Sequence, residues 1–328
     1  MIHYRHFRNA DPPALVKLWN AAVPESSSAR PLTVHELDGH AFNPPTFDPE
    51  GLIIAERDGR PVGFVHAGFG PVDSDPPQPL RLDHEMGVVA MLAVEPGAGD
   101  EETAGGLVVE AERYLRRKGA KVLYGGGALP MNPFYWGLYG GSEAAGVPSS
   151  HFLFCSSLTN LGYEPVSTAV HLHFDLRRPD PRDPRAGLLR RQLETVFEED
   201  PAGCPWWEAL ALGDFHLMRV SLRSRADGVE VARAHTWDMT WFGRAEGRPR
   251  LGVFGVEVDS AHRRKGYGRF LFGEIIRHVR ERGFLTMEVQ ALADNEPAMI
   301  LYQAVDFEPV EQSTVFRLPA PFPDRSRP

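Results

Sequence analysis

Apolar residues in this chain fall into short runs, and the period of each run predicts an element. Val253-Phe254-Gly255-Val256-Glu257-Val258 is a β-branched apolar run, which predicts a buried strand. After a short loop, Phe270, Leu271, Ile275 and Ile276 recur at helical spacing. Upstream, Ala14 to Trp19 predicts a helix opened by a polar cap and prolines in Asp11-Pro12-Pro13. Leu52 to Glu56 and Pro61 to Val65 predict a hairpin across Asp58-Gly59, a dipeptide suited to the tight turn between antiparallel strands. Phe215 to Leu222 and Val229 to Met239 make a similar pair across Asp227-Gly228.

The second half of the chain repeats the first. Ala90-Met91-Leu92-Ala93-Val94 matches Phe254-Gly255-Val256-Glu257-Val258 in pattern. Thirteen positions separate Val94 from Leu107 and Val258 from Leu271, and Gly119 and Gly283 close the following amphipathic segments at the same offset. Later, Leu158 to Tyr163 echoes Leu301 to Phe307. A repeat of this length is one supersecondary pattern used twice. The Pro- and charge-rich stretch Arg177-Arg178-Pro179-Asp180-Pro181-Arg182-Asp183-Pro184 reads as a linker. The expectation is an α/β protein with α+β mixed sheets, built as two tandem domains at 1–176 and 177–328.

Composition narrows the class. The 328 residues are 42% hydrophobic and 24% charged, ordinary for a globular chain that buries real cores. The amino terminus, Met1 to His6, has no apolar run of signal-peptide length. No stretch approaches the ~20 apolar residues of a membrane span. Cys155 and Cys204 are too few and too far apart for a disulfide framework and suit a reducing cytoplasm as free thiols. A net charge of −9 argues against a nucleic-acid partner and favours a cationic acceptor.

Candidate chemistry concentrates after Val258. Arg263-Arg264-Lys265-Gly266-Tyr267-Gly268 joins a strand to a helix start. Backbone N–H groups and the dipole at a helix N-terminus favour an anion there, and glycine permits close approach and positive φ. This predicts a phosphate cradle, most naturally for a pyrophosphate. No G-x-x-x-x-G-K-[ST] is present, and the glycine after Gly268 is Gly273, so neither the P-loop nor the dinucleotide fingerprint fits. Arg-x-x-Gly-x-Gly from Arg263 to Gly268 resembles the acetyl-coenzyme A loop of the GNAT acetyltransferase superfamily. Asn295-Glu296-Pro297-Ala298-Met299-Ile300-Leu301-Tyr302 with Phe307 resembles its second signature, Asp306 standing where that family usually has Gly. The two signatures lie in about the last third of the chain, and the internal repeat makes both halves GNAT-like.

The resemblance implies an acetyl-CoA-dependent N-acetyltransferase without a metal, acting on a small-molecule or peptide amine. It implies that Arg263, Arg264, Lys265, Gly266, Tyr267, Gly268, Arg269 and Asn295 bind the coenzyme, with backbone groups of Val256 and Val258 along its pantetheine arm. It makes Tyr302 a coenzyme contact and the acid that protonates the departing thiolate. No Cys lies beside either signature, which favours direct transfer over an acyl-enzyme. The base is less legible. Gly252 and Phe254 cannot titrate; Glu257 is the nearest carboxylate and Glu288 a second candidate. The first copy has Gly99-Asp100-Glu101-Glu102-Thr103-Ala104 where the second has its basic loop. Three carboxylates facing a pyrophosphate repel it, so the first copy is expected to have lost the coenzyme site. Its long segment 125–148, with Phe134, Tyr135, Trp136 and Tyr139, is a candidate face or lid for the second domain.

Other features favour structural readings. His171 and His173 share one strand face but lack metal-ligand company and read as surface histidines. The arginines around the linker read as a solvated face. Trp206-Trp207, Trp237 and Trp241-Phe242 read as core at least as readily as an acceptor pocket. A coenzyme-binding sensor without catalysis, or a partner-binding scaffold, would share most of these features.

Overall fold

In the computed structural model, residues 1–72, 81–97, 99–128, 130–201, 211–245 and 247–323 are described. Cys204, Trp206 and Trp207 lie outside them. The strands are β1 (Ile2–His6), β2 (Leu52–Arg57), β3 (Arg60–Pro71), β4 (Leu82–Val94), β5 (Val122–Gly125), β6 (Val147–Pro148), β7 (Glu164–Asp175), β8 (Leu193–Glu199), β9 (Met218–Ser224), β10 (Glu230–Asp238), β11 (Arg250–Val258), β12 (Thr286–Leu292) and β13 (Glu308–Leu318). The helices used below are α1 (Pro12–Ala22), α2 (Val34–Leu37), α3 (Asp100–Arg117), α4 (Phe152–Asn160), α5 (Ala186–Gln192), α6 (Tyr267–Arg280) and α7 (Glu296–Ala304).

The chain forms two compact units. The first comprises Met1–Gly140, Ala144–Ala169 and Gln312–Pro328; the second comprises Gly141–Glu143 and Val170–Glu311. The sequence division at 176/177 separates the two copies of the repeat, whereas these units exchange pieces of chain. β7 and β13 each change unit part-way along, and three residues from the first half belong to the second unit.

In the first unit the strands run β1-β2-β3-β4-β5, and β13 pairs with β5 from Phe316↔Gly125 to Leu318↔Leu123. The β2–β3 hairpin turns at Asp58 and Gly59, both at positive φ (53° and 76°), as the two-residue turn requires. Asp11 precedes α1 but does not cap it. Its carboxylate accepts from Arg5 Nη1 and Nη2 at 2.8 Å and from the Arg8 N–H at 2.6 Å. The apolar core gathers Leu107, Val108, Ala111 and Leu115 of α3 against β3 and β4. The aromatic segment packs within this unit. A Cβ on Gly68 would lie 2.5 Å from the Phe134 ring, and the Tyr135 hydroxyl shares a hydrogen bond with His66 Nδ1 at 3.0 Å. Those aromatics are therefore core, while Gly141–Glu143 of the same segment belong to the second unit.

In the second unit the order is β7-β12-β11-β10-β9-β8. α6 supplies Phe270, Leu271, Phe272, Ile275, Ile276 and Val279 to the core, and β12 supplies Met287, Val289 and Ala291. Because side chains alternate along a strand, Glu288 and Gln290 face the other side. The two units repeat one detail of register. Parallel pairing of β4 with β5 ends at Val89↔Gly125, and that of β11 with β12 ends at Val253↔Val289. Each long strand then continues five residues past its last pair, to Val94 and Val258.

Candidate active site

The second unit opens at the end of β11. Gly255 sits at φ 59° beside a register shift in the β10–β11 ladder between Arg233 and His235. This is a β-bulge, which bends the strand that carries the extra residue. Beyond it Glu257 and Val258 still pair with β10, while nothing from Phe254 onward pairs with β12. Backbone groups at Val256 and Val258 thus lie on a strand edge that β12 has left.

The chain then turns into α6. Asp259 caps a single 3₁₀ turn by accepting from the Ala261 N–H at 2.9 Å. Arg263 Nε donates to the Val258 carbonyl at 3.2 Å. Arg264 lies at φ 61° and Gly266 at φ 87°, a region that disfavours a Cβ. The Phe270 N–H is bonded to the Gly266 carbonyl, and no side chain caps the helix. The N–H groups of Tyr267, Gly268 and Arg269 therefore have no helical acceptor. Arg264 and Lys265 are exposed and make no ion pair among the described residues. Arg185, just before α5, places Nη1 3.6 Å from where a Gly266 Cβ would stand. Gly268 is buried, and a Cβ there would come 3.0 Å from Leu301, so its smallness lets α6 approach α7. Arg269 donates to the Arg182 carbonyl, which ties part of the linker to this helix. Bare N–H groups, a dipole and the exposed cations Arg264 and Lys265 suit a diphosphate.

Asn295 caps α7, its side chain accepting from the Ala298 N–H at 3.2 Å. Asp306 stands at φ 62°, taking the left-handed turn that the family pattern gives to glycine. Between them Tyr302 is 4% exposed, with its ring 5.6 Å from Phe272 and 5.9 Å from Phe307. Burial raises the phenol pKa, and the nearby charge of Glu143 raises it further.

The carboxylates differ sharply in their engagement. Glu257 is exposed and pairs with Arg233 at 2.6 Å. Glu288 is buried; its Oε1 accepts from the Ser142 N–H at 2.8 Å, and its Oε2 meets His173 Nε2 at 3.0 Å. Burial pushes its carboxyl up, but His173, then His171 and Arg250, outweigh that and hold it at about 2. An acid this strong is a poor base near neutrality. His171, 2% exposed, and half-buried His173 are thus not surface histidines; they serve Glu288. Trp237 is fully buried and donates to the Ser142 carbonyl at 3.1 Å, and Phe242 is likewise core. Among the described residues no group of three or more His, Cys, Asp or Glu is arranged to hold a metal, and no helix is long and apolar enough to cross a membrane.

Glu143 escaped the sequence reading. It belongs to the second unit and is partly exposed. Burial pushes its carboxyl up to about 8, and the Glu288 charge adds to the rise. One signal was available: Glu143 is the only Asp, Glu, Lys or Arg between Lys121 and Glu164.

At the corresponding place in the first unit, Gly99 at φ 83° precedes α3, which opens on Asp100, Glu101 and Glu102. The helix starts a few residues earlier than its counterpart, and Asp100 accepts the Glu101 N–H itself at 2.9 Å. Carboxylates there occupy the end of the dipole that an anion would need.

Over 97% of its length the chain resembles a tandem GNAT protein from the clavulanic acid biosynthesis pathway, with a TM-score of 0.65, 15% identity and 98% of that chain covered. It also resembles the GCN5-related glucosamine N-acetyltransferase region of a fungal multi-domain GH3 β-N-acetylglucosaminidase, with a TM-score of 0.67 and 16% identity over 97% of this chain and 38% of that one. The fold is therefore that of the GNAT proteins. Residues 220–307 match the Acetyltransferase (GNAT) family. A mycothiol acetyltransferase of Frankia alni is 39% identical over 82 residues, 24% of each chain. That match spans about a quarter of the relative's length.

Proposed function

We propose that this protein is an acetyl-CoA-dependent N-acetyltransferase whose copy at 177–328 binds the coenzyme and transfers its acetyl group to an amine. The observation that carries the reading is the uncapped start of α6 behind Gly266, next to a β11 edge that β12 has left. Arg263, Arg264, Lys265 and the N–H groups of Gly266 to Arg269 take the pyrophosphate, and Arg185 adds a charge from the linker. Backbone groups of Val256 and Val258 align the pantetheine arm. Asn295 acts indirectly, by fixing the start of α7 and hence Tyr302. Acetyl-CoA supplies the activated thioester.

Tyr302 donates its phenolic proton to the sulfur as the C–S bond breaks and the C–N bond forms. A proton leaving the nitrogen restores the phenol. The raised pKa keeps the phenol protonated, as a donor must be. The first copy keeps the frame but takes no coenzyme, its helix start being acidic. The carboxylates of Glu143 and Glu288 suit a cationic amine; the glucosamine N-acetyltransferase neighbour makes amino sugars the first panel. Calorimetry with acetyl-CoA should find one site per chain, and a thiol-release assay over that panel should find turnover. Two equal sites, or none, would overturn the reading; one site without turnover would favour a sensor.

A further inference from the structure

We propose that Glu143 is the residue that receives the acceptor's ammonium group and removes its proton before attack. This rests on the acetyltransferase reading above and supplies the base that the second copy's own sequence lacks.

The geometry begins with the backbone. Gly141, at φ 81°, sits so close to β12 and β7 that a Cβ would lie 2.2 Å from Glu288 Oε1, 2.6 Å from Gln290 Nε2 and 3.1 Å from His171 Nδ1. Ser142 is held through both backbone groups: its N–H donates to Glu288 and its carbonyl accepts from Trp237. Glu143 is the next residue, so its Cα has little freedom. Its side chain makes no hydrogen bond or ion pair with any described residue, although part of it reaches solvent. A half-buried carboxylate without a partner is costly. A fixed backbone that imposes this cost is what a binding group for a cation would need.

Neighbouring charges agree. Gly141 lies against Gln290, the residue after the last β11–β12 pair at Val289, so Glu143 follows a backbone held where the two strands part; its charge also raises the Tyr302 phenol pKa. The two carboxylates that the sequence offered are spent, Glu257 on Arg233 and Glu288 on Ser142 and His173. The titratable and charged groups about Glu143 are Glu288 on β12, Tyr302 on α7 and, around Glu288, His171 and His173 on β7 and Arg250 on β11. Its raised carboxyl makes Glu143 a proton acceptor near neutral pH, where base catalysis is most effective. In the balanced step, an R–NH₃⁺ acceptor gives one proton to Glu143, which passes it to solvent. The free amine then forms the C–N bond as the C–S bond breaks, the sulfur leaves with the proton from Tyr302, and the second proton lost by nitrogen restores the phenol.

The test uses full-length wild type, Glu143→Gln and Glu143→Asp. Acetyl-CoA affinity by calorimetry should stay within about twofold in both variants. With the best primary amine of the panel, Glu143→Gln should lower kcat/KM by about 10²-fold or more and lose the limb that rises toward pH 8, while Glu143→Asp keeps part of both. A second readout needs no turnover. The folded carboxyl is raised above its unfolded value, so wild type should lose stability relative to Glu143→Gln as pH climbs from about 4.5 to 8. Wild-type kcat/KM and pH profile in Glu143→Gln, or Tm curves that stay parallel, would overturn the assignment. Failure of wild type to bind acetyl-CoA would instead overturn the function on which it rests. Should Glu143→Gln not fold, Glu143→Ala carries the same comparison.

Discussion

The backbone N–H of Ser142 donates to Oε1 of Glu288 at 2.8 Å, across 146 residues of sequence. With the indole of Trp237 on the Ser142 carbonyl, this bond makes Gly141–Glu143 part of the second unit. The internal repeat therefore describes how the sequence is organised, while the site draws on both halves. A carboxylate from the first copy fills the role for which the second copy offers only a surface glutamate and a buried, strongly acidic one.

Gly266→Val should weaken acetyl-CoA binding at least tenfold by calorimetry. The left-handed cap costs an ordinary L-residue about 1–2 kcal/mol and a β-branched one more, and relief of that strain tilts the N–H groups of Tyr267 to Arg269. Glu102→Gln, at the start of α3, should leave affinity and stoichiometry unchanged. Equal affinity in Gly266→Val and wild type would remove the α6 start from the coenzyme site.

Tyr302→Phe should reduce kcat by about 10²-fold with little change in acetyl-CoA affinity. The ring keeps its packing on Phe272 and Phe307; only the donated proton is lost. An unchanged kcat, with chemistry shown to limit turnover, would exclude the phenol as the acid.

Glu288→Gln should destabilise the protein in a pH-dependent way. The folded carboxyl is depressed to about 2, below its unfolded value, so its contribution is complete above about pH 4.5 and is lost as pH falls toward 2. Denaturant titrations should show a gap on the order of 2–3 kcal/mol at pH 6, narrowing below pH 4.5. A gap that does not vary with pH would assign the loss to packing instead.

Asp306→Val should cost more than about 1 kcal/mol, whereas Asp306→Gly should be neutral or slightly stabilising. At φ 62° a β-branched residue is strained, and glycine removes strain at the expense of unfolded-state entropy. Thermal unfolding reads both. Equal melting temperatures for the valine and glycine variants would mean that the turn relaxes to another conformation.

Much of the frame was legible because its causes are local. Asp58-Gly59 takes positive φ in its hairpin because few other residues do so readily, and Asp306 can stand in for glycine for a related reason. The apolar period of α6 faces the core because a helical stripe has nowhere else to bury. The basic loop and the acidic one could be told apart by inspection, since charge at a helix start acts within one turn.

By itself, then, the sequence determined the elements, their repetition, the glycine-bearing turns and the sign of charge at each helix start, all set within about a dozen residues. Only the tertiary structure decided which carboxylate follows the backbone pinned to β12, which is bound by Arg233 and which is held by Ser142 and His173. It also decided that β7 and β13 change unit part-way. The physical reason is that a carboxylate's pKa and availability are set by the groups around it in space. Glu143 meets Glu288 and Tyr302 only after the chain has folded across more than a hundred residues, a distance over which hydrophobic period and turn chemistry carry no information.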